Sequence, residues 1–255
     1  MPTAAVTGAT AGLGAEFARQ LAATGYDLVL VARNVEALNG AQQALSQRYG
    51  VDVEVLPADL TTDEGCRAVG ERVADAQRPV ELLINNAGTA VHKAFGSGSL
   101  EDEERQLDLN VRAVLRLSHA AVRAMSGRNS GRIINVSSVA GFVPRGSNAT
   151  YSASKAWVTM LSEAVAVQLH GTKVTVTAIC PGFTRTGGNE REKADGGHVP
   201  KRLVLSAEDV VRKGLADAMR GKSVSVPGRQ YRSLLLLVRV LPRPLLRSVL
   251  ARRAF

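Results

Sequence analysis

A chain of 255 residues, 45% hydrophobic and 22% charged, is long enough to bury one large core and lies outside the compositions of disordered or collagen-like proteins. Its net charge of +9 is not spread over a face, because residues 229–255 hold seven arginines and no acid and leave only +2 for the rest. With aromatic residues at 4% and those arginines interleaved with leucine, the basicity excludes nucleic acid as a partner.

Cys66 and Cys180 form no C-x-x-C pair and the four histidines have no ligand spacing, so neither a disulfide framework nor a metal site is expected. Both cysteines are expected as core thiols in a reducing, cytoplasmic setting. Strand-like sequence begins at Thr3, which leaves no stretch for a secretion signal.

The first predicted strand, 3–7, passes into the first helix, 13–24, through VTGATAGLGAEFAR at residues 6–19. Gly8, Gly12 and Gly14 would weaken either element, so the passage needs backbone that no other residue allows. At the carboxyl end of the first strand of a doubly wound sheet, such a turn faces a phosphate with a helix N-terminus behind it.

The second strand, 27–32, ends at Arg33 with no acid to hold a ribose hydroxyl, and a helix at 35–49 follows. The third strand, 51–56, leads through Asp59 and Leu60 to a helix at 62–77, where Thr61 and Glu64 have capping spacing. The fourth, 81–85, ends in Asn85-Asn86-Ala87-Gly88, and the long helix 100–125 contains Asn110. The fifth, 131–137, ends at Ser137-Ser138, and the helix 151–170 opens with Tyr151 and, four residues on along the same face, Lys155. After the sixth strand, 173–180, residues 182–201 are polar and glycine-rich and are expected to form a lid. Ser206 and Asp209 then cap a helix at 207–220, and the seventh strand is 223–226.

Runs such as LVLVA imply strands buried on both faces. The expected fold is therefore α/β: a doubly wound (Rossmann) three-layer sandwich on a seven-stranded parallel sheet, with residues 1–228 as one domain and 229–255 as a basic apolar tail. In the tail, 234–241 is apolar nearly all round, Pro242 and Pro244 interrupt it, and Leu245, Leu246, Val249 and Leu250 form a stripe. Two readings suit the tail: its apolar stretch packs on the protein's own body or a neighbouring subunit and caps the substrate cleft, or it lies on an anionic membrane surface in peripheral contact.

TGATAGLG has G-x-x-x-G-x-G spacing. Together with NNAG, Asn110, Ser138, YSASK at 151–155 and PGFTRT at 181–186, it resembles the short-chain dehydrogenase/reductase family over about residues 3–226. The resemblance implies a nicotinamide coenzyme held by Gly8, Thr10, Ala11, Gly12, Leu13 and Gly14. It places Asp59 and Leu60 by the adenine, with a bare helix cap as the alternative for Asp59. Asn86, Ala87 and Gly88 run along the ribose, while Asn85 tethers neighbouring strands. Pro181, Gly182, Thr184 and Thr186 meet the nicotinamide carboxamide. Arg33, helped by the Thr10 hydroxyl, suits a 2′-phosphate, so NADP(H) is expected over NAD(H).

The implied reaction interconverts a ketone or aldehyde with its alcohol. A tyrosine phenol titrates at about 10, too high to give up a proton readily at neutral pH, so Tyr151 needs the positive charge of Lys155 to serve as acid and base. By resemblance Ser138, thirteen residues before Tyr151, donates to the substrate carbonyl, and Asn110 holds a water against Lys155. Asn110 also suits a helix kink. The substrate cleft would draw on loops 89–96 and 139–145 and on the lid after Gly182, with His92 lining it or standing as a surface loop residue. The family's habit implies a homodimer or homotetramer. The competing reading is a non-catalytic NADP(H)-binding regulatory or scaffold protein on the same fold, which needs the glycine turn but not the acid system.

Overall fold

The structure, a computed structural model, describes residues 1–91, 93–143, 148–186 and 200–242. Thr3–Thr7 (β1), Gly12–Ala23 (α1), Asp27–Ala32 (β2), Val35–Tyr49 (α2), Val53–Pro57 (β3), Asp63–Ala74 (α3) and Val80–Asn85 (β4) alternate through the first half. Leu100–Leu107 (α4), Ala113–Gly127 (α5), Gly131–Val136 (β5), Ala149–Gln168 (α6) and Val174–Ile179 (β6) continue the pattern. Thr184–Arg185 (β7), Leu205–Ser206 (β8), Ala207–Met219 (α7), Val224–Ser225 (β9) and Arg229–Val240 (α8) complete it.

Seven strands make one parallel sheet in the order β3-β2-β1-β4-β5-β6-β9. Side chains along β1 and β2 alternate between two buried clusters: Ala4, Val6, Leu28 and Leu30 face one, and Ala5, Val29 and Val31 the other. Phe17, Leu21, Leu38 and Val211 close the first cluster; Val69, Val73, Leu117 and Met125 close the second. A fully buried Leu or Phe contributes about 1.5–3 kcal/mol. Phe17 and Leu21 therefore outweigh the roughly 1 kcal/mol that each glycine costs in α1. Because β2 and β3 extend the sheet one way from β1, and β4, β5, β6 and β9 the other, the strand order reverses between β1 and β4, and a crevice opens outside their carboxyl ends, while β7 and β8 pair separately as a two-stranded sheet.

Two local features differ from expectation. Thr62, not Thr61, caps α3, its hydroxyl accepting from the Gly65 N–H at 3.0 Å, because the Thr61 hydroxyl is taken by Asp59 at 2.8 Å. The stretch expected as one helix over 100–125 is broken: between α4 and α5, residues Asp108–Arg112 widen into a π-turn. The expected cap of α7 is present, with Ser206 Oγ accepting from the Asp209 N–H and donating to its carboxylate. Among the described residues no helix is long and apolar enough to cross a membrane.

Candidate active site

At the crevice, the ends of β1 and β4 are bound to each other through Thr7. Its hydroxyl accepts from the Asn86 and Ala87 N–H groups at 2.9 and 3.0 Å and donates to the Ile84 carbonyl at 3.2 Å. The Asn86 side-chain amide returns bonds to the Thr7 and Gly8 carbonyls. Gly8 turns at φ +65, and a Cβ on Gly14 would lie 2.0 Å from the Gly8 carbonyl oxygen, so α1 starts in direct backbone contact with the turn. Ala11 is exposed and gives α1 no side-chain cap, and no acid lies in its first turn. This is a cradle of backbone N–H groups and helix dipole suited to an anion such as a pyrophosphate. Thr10 is half-buried beside it, whereas Leu13 packs on the first core cluster.

Asp59 accepts from both the backbone and the hydroxyl of Thr61 and lies 3.9 Å from Arg105. Burial pushes its carboxyl up, but the two Thr61 bonds, with Arg33 and Arg105, hold it below the ordinary carboxylate value. Arg33 is thus an exposed cation near Asp59 at the edge of the crevice. Leu60 is 4% exposed, in the second cluster with Ala87 packed against it. Asn85 ties β4 to β5, donating to Asn135 Oδ1 at 2.8 Å and Ser118 Oγ at 3.1 Å.

Asn110 sits in the π-turn, where the widened backbone sets it fully buried against the 89 peptide. Its Oδ1 accepts from the Thr89 N–H at 2.9 Å, and its Nδ2 donates to the Thr89 carbonyl at 2.8 Å and to Ser154 Oγ at 3.3 Å. A Cβ on Gly88 would lie 3.1 Å from Asn110 Oδ1 and 3.5 Å from Lys155 Nζ, so that glycine lets both side chains reach one edge of the segment.

On α6, Lys155 is 5% exposed and its ammonium donates to the Val136 carbonyl at 2.8 Å, at the end of β5. A buried ammonium is costly unless its donors are engaged, so this carbonyl fixes where the charge stands. Lys155 Nζ lies 5.7 Å from the centroid of the half-buried Tyr151 ring. Ser137 is spent on structure, donating to the Lys155 carbonyl and paired with Thr159 Oγ1, both at 2.7 Å. Ser138 is half-buried, and its hydroxyl accepts from Ala140 N–H at 3.1 Å. The turn that follows, Val139–Phe142, touches α6 directly: a Cβ on Gly141 would lie 2.7 Å from the Ala156 nitrogen.

The segment after β6 closes the far wall. Val139 N–H donates to the Pro181 carbonyl at 3.0 Å, the Thr184 hydroxyl to the Gly182 carbonyl at 3.0 Å, and Thr186 Cβ lies 3.3 Å from where a Gly12 Cβ would stand. Both cysteines are buried and free, and burial pushes the Cys180 thiol to about 11, which keeps it a neutral core group.

Asn110 and Lys155 thus converge on Gly88, Tyr151 stands one helical turn before Lys155, Ser138 lies just past the end of β5 beside Pro181, and the glycine turn meets Asn86 on one side and Thr186 on the other. Sequence reasoning missed Thr7, Thr89 and Ser154, which hold those groups. Only the threonine in VTG, directly before Gly8, offered a local signal. His92, residues 144–147 and most of the expected lid, 187–199, lie outside the described residues, as do 243–255 of the tail.

A family model described as short chain dehydrogenase matches residues 2–196. The ketoacyl reductase HetN of Nostoc sp. is 31% identical over 225 residues, 88% of this chain and 77% of that protein. A short-chain dehydrogenase of Sphingobium yanoikuyae, solved in complex with NADPH, superposes with a TM-score of 0.84 at 32% identity, covering 95% of this chain and 97% of that one. A Comamonas testosteroni alcohol dehydrogenase specific for bulky-bulky ketones superposes at 0.81 with 28% identity, covering 95% and 96%.

Proposed function

Because this chain belongs to the short-chain dehydrogenase family of oxidoreductases, which act between CH–OH groups and carbonyls, we propose that it is an NADP(H)-dependent enzyme interconverting a ketone or aldehyde with its alcohol. The observation that carries the reading is the buried Lys155 ammonium, held by Val136 one helical turn from Tyr151.

The uncapped start of α1, the Gly8 turn and the 86–88 segment would hold the dinucleotide, which when bound supplies the hydride. In reduction, the Ser138 hydroxyl donates to the substrate carbonyl oxygen, and Tyr151 transfers its proton to that oxygen as charge develops there. Lys155 stabilises the phenolate left behind, and Asn110 orders a water through which the proton returns. Lowering a phenol by two pKa units takes about 2.7 kcal/mol of differential interaction. An ammonium shielded from water supplies that more readily than an exposed one.

Arg33, at the end of β2 with no acid beside it in sequence, supports NADP(H) as the coenzyme, as does the NADPH of the Sphingobium relative. Two buried thiols fit a cytoplasmic setting. For partners, Tyr231 and Leu235 of α8 seat on the body while Leu234, Leu236, Leu237 and Val240 remain 47–79% exposed, a stripe we assign to a second copy rather than to lipid. A sensor or scaffold would need the cradle but not the Tyr151–Lys155–Asn110 cluster.

The test is a panel of ketones and aldehydes, from short polar to long apolar, incubated with purified protein and NADPH or NADH while nicotinamide absorbance is followed. Oxidation of NADPH in preference to NADH with at least one member is expected. Dinucleotide binding without turnover across the panel would favour the sensor.

A further inference from the structure

Gly182 is covered by an aromatic ring that arrives from α8. A Cβ on Gly182 would lie 2.0, 2.1 and 2.4 Å from Cζ, Cε2 and Cε1 of Tyr231, so the ring rests on the glycine with no room for any side chain between. Tyr231 is 3% exposed. Its hydroxyl accepts from the Phe183 N–H at 2.9 Å and donates to the Leu203 carbonyl. On the other side of the same residue, the Phe183 carbonyl accepts from the Leu205 N–H at 2.8 Å, next to the β7–β8 pairing of Thr184 with Leu205. Both polar groups of Phe183 are thereby fixed, one by the sheet edge and one by a side chain of α8. Burial raises the Tyr231 phenol more than the Phe183 bond lowers it, which keeps it a neutral donor to Leu203.

Phe183 is followed by Thr184 and Thr186, and Thr186 lies against the Gly12 face of the glycine turn. We propose that Tyr231 is a positioning residue: it fixes Phe183 against Leu203 and so sets where Thr184 and Thr186 stand for the bound dinucleotide. The inference rests on the proposed NADP(H) chemistry. It makes α8, which the parallel sheet does not need, part of the coenzyme site.

Tyr231→Phe keeps the ring on Gly182 and deletes only the hydroxyl. We expect the Kd for NADPH, read by fluorescence titration, and the KM for NADPH both to rise about tenfold. The kcat at saturating coenzyme should stay within about threefold. In coenzyme-free protein, amide exchange at Phe183 should quicken about tenfold, since its acceptor is gone. Leu235→Ala, a buried change one turn further along the same helix that leaves the Tyr231 hydroxyl in place, should lower Tm while leaving NADPH affinity and Phe183 exchange as they are. Unchanged Phe183 exchange or a Kd within twofold of wild type in Tyr231→Phe would overturn the proposal, as would equal weakening by Leu235→Ala. Wild-type protein that binds no NADPH would contradict the proposed function and this role together, whereas a binding wild type beside an unshifted Tyr231→Phe contradicts this role alone.

Discussion

Arg33 and Gly14 show how single side chains, or the lack of one, would set the coenzyme. Arg33 is exposed, close enough to Asp59 to help lower its carboxyl, and followed by no acid until Glu36. A charge-assisted bond from it to a 2′-phosphate would be worth about 1.5–3 kcal/mol, roughly ten- to a hundredfold in affinity. Arg33→Asp should therefore shift the ratio of kcat/KM for NADPH over NADH towards NADH by about that factor, and an unchanged ratio would remove Arg33 from coenzyme choice. Gly14→Ala puts a methyl 2.0 Å from the Gly8 carbonyl, backbone against backbone, where nothing flexible can give. We expect a loss of about 3 kcal/mol, visible as a fall in Tm, together with loss of the stabilisation that NADPH gives wild type. A variant with wild-type Tm would mean that the turn has slack. The spacing of Tyr151 and Lys155 already placed them on one helical face. The Val136 carbonyl beneath Lys155 was not legible, because it depends on where β5 ends against α6 and not on any local pattern.

Whole elements were legible where burial repeats along them and less so where side chains compete for the backbone. The run LVLVA in β2 faces two cores, and its unbroken apolar character predicted a strand covered on both sides. Asn110 suited a helix kink, but the π-turn at Asp108–Arg112 that splits the expected helix was not legible, because α4 and α5 have helical periodicity on both sides of it. Within it Asn110 takes both backbone polar groups of Thr89, a partner 21 residues away that no local pattern reveals. Spacing pointed to Thr61 as the cap of α3, and Thr62 takes that place because Asp59 holds the Thr61 hydroxyl. The short β9 is held by Asp217 of α7, which is 3% exposed, accepts from Ser225 Oγ at 2.8 Å and pairs with Lys213 and, at 2.9 Å, Lys222. Burial pushes this carboxyl up, but Lys213, Lys222 and Ser225 bring it down to about 2, below the ordinary 3.8. A depressed carboxyl contributes stability that is present above about pH 4 and lost as pH falls towards about 2. Asp217→Asn should therefore be less stable than wild type by about 2–3 kcal/mol at pH 7 in urea unfolding. The gap should narrow below about pH 4 and close only near about pH 2; a gap independent of pH would mean that packing, not charge, ties β9 to α7.

For the whole molecule, parallel strands in the order β3-β2-β1-β4-β5-β6-β9 place the reversal between β1 and β4, and the crevice follows from that topology. The glycine turn and the asparagine segment at 86–88 were both visible in sequence; the Thr7 bonds that join them appear only once the strands are neighbours. The role of α8 was the least legible, because Tyr231 reads as one residue of a basic apolar tail until Gly182 is seen beneath its ring. The exposed stripe on α8 leads to an expectation about assembly: intact protein should elute as a dimer or tetramer and should not sediment with anionic liposomes at low salt. Co-sedimentation would give the stripe to a membrane surface instead. The central claim is that a phenol beside a buried ammonium moves the proton while a bound dinucleotide moves the hydride. It is tested most directly by measuring NADPH binding and NADPH-dependent carbonyl reduction on wild type and Tyr151→Phe side by side. The account predicts NADPH affinity within about threefold of wild type and turnover reduced by at least about a thousandfold in the variant. A Tyr151→Phe protein that still reduces the substrate at a rate comparable to wild type would contradict it.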